Sequence, residues 1–136
     1  MKLNSRLNKI QVSLAAPKSQ KNSFGNFTYR SAEDILESVK EPLEKTGCTL
    51  TIDDELLHIG DRYYVKSTAT IAFEDESISK SAFARECEQK KGMDVAQLTG
   101  STSSYARKYA LNGLLAIDDG KIKPPIEIDS TEISKL

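Results

Sequence analysis

The stretch RYYVKSTATIAFEDESISKSAFARECE, residues 62–88, decides the fold. Its first half carries apolar side chains at nearly every second position, which predicts a strand over residues 62–74 with one apolar face. The side chains on that face are Tyr63, Val65, Ala69, Ile71 and Phe73. The acidic triplet at 74–76 predicts a compact turn, and residues 77–88 then predict a returning third strand.

A first strand is expected just upstream of this stretch. It begins at about Cys48 and continues to Ile52, where the apolar character is clearest. It either ends there or runs on toward Ile59, with the acids at 53–55 as a polar interruption. Three strands in succession with short turns predict an antiparallel meander, which Gly92 closes.

Two helices are expected before the sheet. Residues 2–15 have apolar side chains at helical spacing, and residues 17–30 form a connector with Gly25 as its turn residue. The apolar stripe consists of Leu3, Leu7, Ile10 and Leu14. A second helix opens at the capping-box sequence that starts at Ser31. We expect Pro42 to kink it or end it early, and Gly47 to stop it.

After the sheet, a short helical turn over residues 94–98 should precede a longer helix over 101–115, with Thr99 and Gly100 as the joint. The predicted fold class is α+β, an antiparallel three-stranded β-meander followed by a helix (a β-β-β-α core), with the N-terminal helices packed on it. We expect one domain over residues 1–119 and an acidic, loosely ordered tail over 120–136.

The composition of the 136 residues is that of an ordinary soluble domain, with 38% hydrophobic and 29% charged residues. No apolar run is long enough to span a membrane, and no apolar core follows the basic N-terminus as in a signal peptide. Cys48 and Cys87 fit no metal or redox spacing, which indicates a reducing compartment. We therefore expect a cytoplasmic protein.

The net charge of −1 hides an uneven distribution. Residues 1–30 carry six bases and no acid, and residues 80–110 carry six bases and three acids. The segment between them is strongly acidic. Because charge acts locally, two basic segments can attract phosphate even when the total is close to neutral.

The segment KKGMDVAQLTGSTSSYARKYALNGLLAIDD, residues 90–119, closely resembles the signature of the ERF (essential recombination function) family of bacteriophages and prophages. Two upstream segments are similar to the same family and occur in the same order, FGNFTYRSAEDIL at 24–36 and GDRYYVKSTATI at 60–71. The resemblance covers about residues 3–119 and implies a core of three strands followed by a helix, which agrees with the β-β-β-α core predicted from the sequence pattern.

The resemblance also implies a function. Such a protein binds single-stranded DNA and anneals complementary strands without ATP, in phage or prophage homologous recombination. It acts as a homo-oligomer, a ring or a filament, and host or phage recombination proteins are further candidate partners. We expect no catalytic residues, no cofactor, no metal and no membrane partner.

Annealing requires a protein to hold phosphates while base edges stay free, so positive charge, backbone N–H groups and aromatic rings are the expected contacts. The third strand, the turn after it and the last helix should bring one set of such residues into a single groove. The predicted DNA-binding residues are Arg85, Lys90, Lys91, Ser101, Ser103, Ser104, Tyr105, Arg107 and Lys108. A secondary set consists of Lys21, Phe24, Tyr29, Arg30 and Lys66.

Several of these residues have a plainer interpretation. The hydroxyl-rich run from Thr99 to Ser104 either presents N–H groups to phosphate at a helix start or merely caps that helix. Tyr105 and Tyr109 share a helix face, where core packing is favoured over stacking on bases. The N-terminal apolar stripe belongs either to the domain's own core or to a subunit interface.

Three other functions remain open. A magnesium-dependent nuclease would use acids such as Glu86, Glu88, Asp94, Asp118 and Asp119, but no nuclease motif surrounds them, and His58 is the only histidine. A single-strand-protecting protein that does not anneal would usually have an OB-fold barrel rather than this helix content. A protein-interaction module would bind an acidic partner through its basic helix.

Overall fold

The structure, a computed structural model, describes residues 2–14, 20–22, 27–29, 31–86 and 95–117. Its centre is an antiparallel sheet of three strands in the order β3-β4-β5. These strands are β3 (Thr49–Ile59), β4 (Arg62–Phe73) and β5 (Glu76–Arg85). The predicted meander is confirmed, and β3 runs its full length, so the acids at 53–55 do not interrupt it.

The two faces of the sheet differ because side chains alternate along each strand. On β4, Val65, Ser67, Ala69 and Ile71 are buried, while the residues between them are partly exposed. The predicted apolar face is therefore confirmed in the middle of the strand. It fails at one end, where Tyr63 is 45% exposed.

Three helices on the side of the buried face complete an α+β fold, which confirms the predicted class. They are α1 (Lys2–Ser13), α2 (Ala32–Thr46) and α3 (Val95–Leu115). The core joins apolar side chains from each helix to the middle of the sheet. Its largest fully buried members are Leu3, Ile10, Ile35, Val39, Ile71, Leu111, Leu114 and Leu115.

The ends of α2 follow the sequence signals, but its interior does not. The Ser31 hydroxyl accepts from the Asp34 N–H, and the Asp34 carboxylate accepts from the Ser31 N–H, so the capping box is confirmed. Gly47 ends the helix in the left-handed conformation (φ 71°). The expectation that Pro42 ends the helix early is wrong, because the chain stays helical to Thr46. The Thr46 hydroxyl donates to the Pro42 carbonyl at 2.8 Å and secures this last turn.

The predicted joint at Thr99 and Gly100 is also wrong, because α3 is one continuous helix of 21 residues. A glycine inside a helix costs only about 1 kcal/mol. The burial of Ala106, Ala110, Leu111 and three further residues against the sheet and the other helices outweighs that cost.

The connector over residues 17–30 contains two short strands that the sequence did not reveal. β1 (Gln20–Asn22) and β2 (Phe27–Tyr29) pair antiparallel as a sheet of their own. Gly25, the predicted turn residue, lies between them but outside the described residues. The domain boundary expected at 119 and the tail over 120–136 also fall outside them.

Candidate nucleic-acid interface

Within the described part of the chain, α1 and α3 cover the same face of the β3-β4-β5 sheet, and α2 packs against these two helices. The register pairs Val65 with Leu56 and Ala84, and Ala69 with Ile52 and Lys80, so these residues lie on the helix-covered face. We call the opposite side the open face. Its residues are Thr49, Thr51, Asp53, Glu55, Leu57 and Ile59 on β3, Arg62, Tyr64, Lys66, Thr68, Thr70 and Ala72 on β4, and Ser77, Ser79, Ser81, Phe83 and Arg85 on β5.

Two cations and two aromatic rings meet at one end of the open face, and we call them the open-face patch. Tyr64 pairs in register with Arg85, and Lys66 pairs with Phe83. The Lys66 ammonium lies 5.7 Å from the centroid of the Phe83 ring, and that residue is 56% exposed. Glu55 stands opposite Lys66 on β3, yet neither Lys66 nor Arg85 forms an ion pair with any described residue.

The rest of the open face on β4 and β5 is rich in hydroxyl groups. Thr68 and Ser81 share a hydrogen bond of 2.7 Å across the two strands, as do Thr70 and Ser79. These groups are exposed and apolar bulk is scarce, which explains why the face can remain in water.

The predicted single groove is not present among the described residues. Arg85 projects from the open face, whereas α3, which carries Arg107 and Lys108, packs on the opposite face. The physical reason is the two-residue turn at 74–75, which sets the register and places Arg85 beside Tyr64. The predicted set therefore divides between two sides of the sheet.

On α3, the preference for core packing of the two tyrosines is wrong. Tyr105 and Tyr109 are 54% and 50% exposed, because Ala106 and Ala110 take the buried positions of the same helix. The Lys108 ammonium lies 5.7 Å from the centroid of the Tyr109 ring. Both rings are therefore accessible to bases, as the alternative interpretation required.

The expected phosphate site at a helix start over residues 99–104 is also wrong. The helix begins at Val95, so the N–H groups of residues 99–104 belong to its interior and are used by the helix. The hydroxyl groups alone remain candidates. Ser104 is exposed, and Ser101 and Ser103 are partly exposed.

The Asp54 carboxylate, on the helix-covered face of β3, joins the sheet to α3. One of its oxygens accepts from the Ser67 hydroxyl at 2.7 Å, and the other accepts from the Ser103 hydroxyl at 2.5 Å. The Arg107 guanidinium donates through Nε at 2.9 and 3.2 Å and lies 2.9 Å away through Nη2. No local sequence pattern indicates this cluster, because it joins residues about fifty positions apart.

Burial raises the pKa of Asp54, but the opposing contributions prevail and hold its pKa below the ordinary value of 3.8. Those contributions are hydrogen bonds from Arg107, Ser103 and Ser67, together with the positive charge of Arg107. The carboxylate is therefore ionised at neutral pH, and the ion pair is formed.

Replacing Asp54 by asparagine is expected to lower the free energy of unfolding by about 1 kcal/mol at neutral pH. Because the pKa of Asp54 in the folded state lies below 3.8, the ionised carboxylate stabilises the fold above pH 3.8. This contribution is lost as the pH falls through the pKa of the folded state. Urea unfolding at about pH 7 and about pH 3 should show that the difference in unfolding free energy between wild type and Asp54→Asn narrows in acid. A gap that stays constant would contradict this assignment.

The remaining predicted residues lie outside what the structure describes. Phe24, Arg30, Lys90 and Lys91 are not described. Lys21 and Tyr29 belong to β1 and β2, but their side chains are not described. Of the acids of the nuclease alternative, only Glu86 is described, and no group of three or more metal-binding side chains occurs among the described residues.

The N-terminal apolar stripe lies in the domain's own core, since Leu3 and Ile10 are fully buried. The alternative that this stripe forms a subunit interface is therefore not supported. None of the helices described is both long and apolar enough to cross a membrane.

Comparisons with known proteins agree with the resemblance. The model of the ERF superfamily matches residues 3–123. The essential recombination function protein of Salmonella phage P22 is 66% identical over 116 residues. That alignment covers 85% of this chain and 56% of the phage protein, so the chain spans just over half the length of this relative. No solved structure matches the chain.

Proposed function

This chain belongs to the ERF superfamily, and on that premise we propose that it acts in phage recombination by binding single-stranded DNA and annealing complementary strands. It does so without ATP and as a homo-oligomer in the bacterial cytoplasm. It has no catalytic residues and needs no cofactor. Support for the recombination role comes from the family and from the name of the phage P22 relative.

The open-face patch is the observation that carries the DNA-binding part of the proposal. Lys66 and Arg85 offer positive charge that no described acid neutralises at ion-pair distance, and Phe83 offers an exposed ring between them. Proteins that bind single strands without reading sequence combine these two features. Phosphates held by the cations leave the base edges free to find their complement.

Oligomerisation would compensate for the small number of cations in each open-face patch. Two unpaired cations bind one short segment of a strand weakly. Several protomers along the same strand multiply such weak contacts, because each later contact is intramolecular. A chain with a net charge of −1 can therefore hold DNA as an assembly, while each contact remains easy to release.

Binding is tested with a fluorescently labelled oligothymidylate, titrated with the protein in EDTA without nucleotide, with light scattering to measure assembly size. We expect binding by a large assembly and a logarithmic salt slope of about −1.4 for each protomer that contacts two phosphates. Binding in this titration, without faster pairing of complementary oligonucleotides in a separate assay, would favour a strand-protecting protein. Absence of binding at low salt would overturn the proposal and favour a protein-interaction module.

A further inference from the structure

The donors around Asp54 form a complete binding site for an oxyanion. A planar guanidinium and two hydroxyl groups converge on one carboxylate, from Arg107, Ser103 and Ser67. Guanidinium groups bind carboxylate and phosphate with the same two-pronged geometry. The guanidinium of Arg107 and the hydroxyl of Ser103 are therefore also suited to a phosphodiester oxyanion.

We propose that Ser103 and Arg107 form a phosphate site for single-stranded DNA, and that Asp54 is a built-in competitor for it. This inference rests on the proposed function. A backbone phosphate takes the place of the Asp54 carboxylate on Arg107 and Ser103, and the aspartate turns toward water. The site is separate from the open-face patch, because it lies on the helix-covered side of the sheet.

Exposure makes this exchange feasible. The side chains of Arg107 and Asp54 are 42% and 26% exposed, so an incoming phosphate can reach the guanidinium without unfolding the domain. Ion pairs with this much exposure contribute little net stability, since water competes for both partners. One singly charged oxyanion replaces another, so the guanidinium remains paired throughout. Ser67 is fully buried and is the donor least able to follow the phosphate.

The exchange has a consequence for affinity. A displaced Asp54 carboxylate remains tethered beside the site, where it repels the phosphate that replaced it. Asp54 therefore holds the wild-type affinity down and shortens the residence of the strand. For a protein that must test many pairings, a contact that reverses readily is an advantage.

The pair Asp54→Asn and Glu44→Gln tests the competitor. Both substitutions remove one negative charge, but Glu44 is an exposed residue of α2, outside the open face, and forms no hydrogen bond or ion pair with Arg107. At low salt, Asp54→Asn should bind labelled oligothymidylate about fivefold more tightly than wild type. Glu44→Gln should change the affinity by less than half as much on a logarithmic scale. Equal effects of the two variants, or weaker binding by Asp54→Asn, would overturn the inference.

Arg107→Gln supplies a second, independent arm that remains decisive if Asp54→Asn fails to fold. Glutamine can still donate a hydrogen bond to Asp54, but it cannot neutralise a phosphate. The salt slope should therefore become shallower by about 0.7 for each protomer. An unchanged slope would mean that Arg107 only clamps α3 to the sheet. If wild type itself does not bind, the proposed function fails as well, and that outcome is distinct from a failure of the variants alone.

Discussion

Replacing Lys66 and Arg85 together by alanine is expected to weaken the binding of single-stranded DNA about twentyfold at low salt. Both cations lie on the open face without an ion-pair partner among the described residues, so their full charge is available to phosphate. Losing two phosphate contacts should also make the salt slope shallower by about 1.4 for each protomer. Both changes are read from oligothymidylate titrations at several salt concentrations.

The control for this pair is Lys2→Ala combined with Lys80→Ala. It removes the same charge from two exposed lysines, and Lys80 lies on the same strand as Arg85 but on the helix-covered side. The control variant should lose less than threefold in affinity for single-stranded DNA, because only its net charge has changed. An equal loss in both double variants would mean that binding is a diffuse charge effect and that the open-face patch is not the site.

Replacing Arg6 by alanine is expected to lower the free energy of unfolding by about 2 to 3 kcal/mol. The guanidinium of this α1 residue lies 3.9 Å from the centroid of the Phe73 ring on β4. It also donates through Nη1 to the Thr46 carbonyl at the end of α2, at 2.5 Å. One side chain therefore links two helices and the sheet, and its charge is suited to a helix C-terminus.

Urea unfolding measures this loss, and two further variants separate its causes. Arg6→Met retains a long apolar side chain over Phe73 and should recover part of the stability, whereas the hydrogen bond to Thr46 stays lost. Lys2→Ala, an exposed position on the same helix, should change the stability by less than about 0.5 kcal/mol. If Arg6→Ala were as stable as Lys2→Ala, the linking role would be wrong.

Most of the fold was predictable because its strongest signals are local. The alternation along residues 62–74 predicted β4 and its buried face, and the sequence at Ser31 predicted the start of α2. Gly47 marked the end of that helix correctly. The errors at Pro42 and at Gly100 have one cause, since both residues weaken an isolated helix by an amount that tertiary packing can offset.

The candidate site was less predictable because it depends on which faces meet. The placement of Arg85 could have been found, since a two-residue turn after Phe73 pairs it with Tyr64 and so places it on the open face. The cluster of Asp54 and Arg107 could not have been found, because it depends on how α3 docks on the sheet. The role of Arg6 could not have been found either, because its contacts with Phe73 and Thr46 depend on how α1 docks against the sheet and α2.

The most direct test of the central claim measures the pairing of two complementary labelled oligonucleotides in EDTA without nucleotide. Energy transfer between the two labels reports the rate of pairing. We predict that the protein accelerates pairing at least about tenfold over the spontaneous rate, and that the acceleration falls as salt is raised. The variant lacking Lys66 and Arg85 should lose most of this acceleration. Unaccelerated pairing at protein concentrations that saturate the strands would contradict the annealing function.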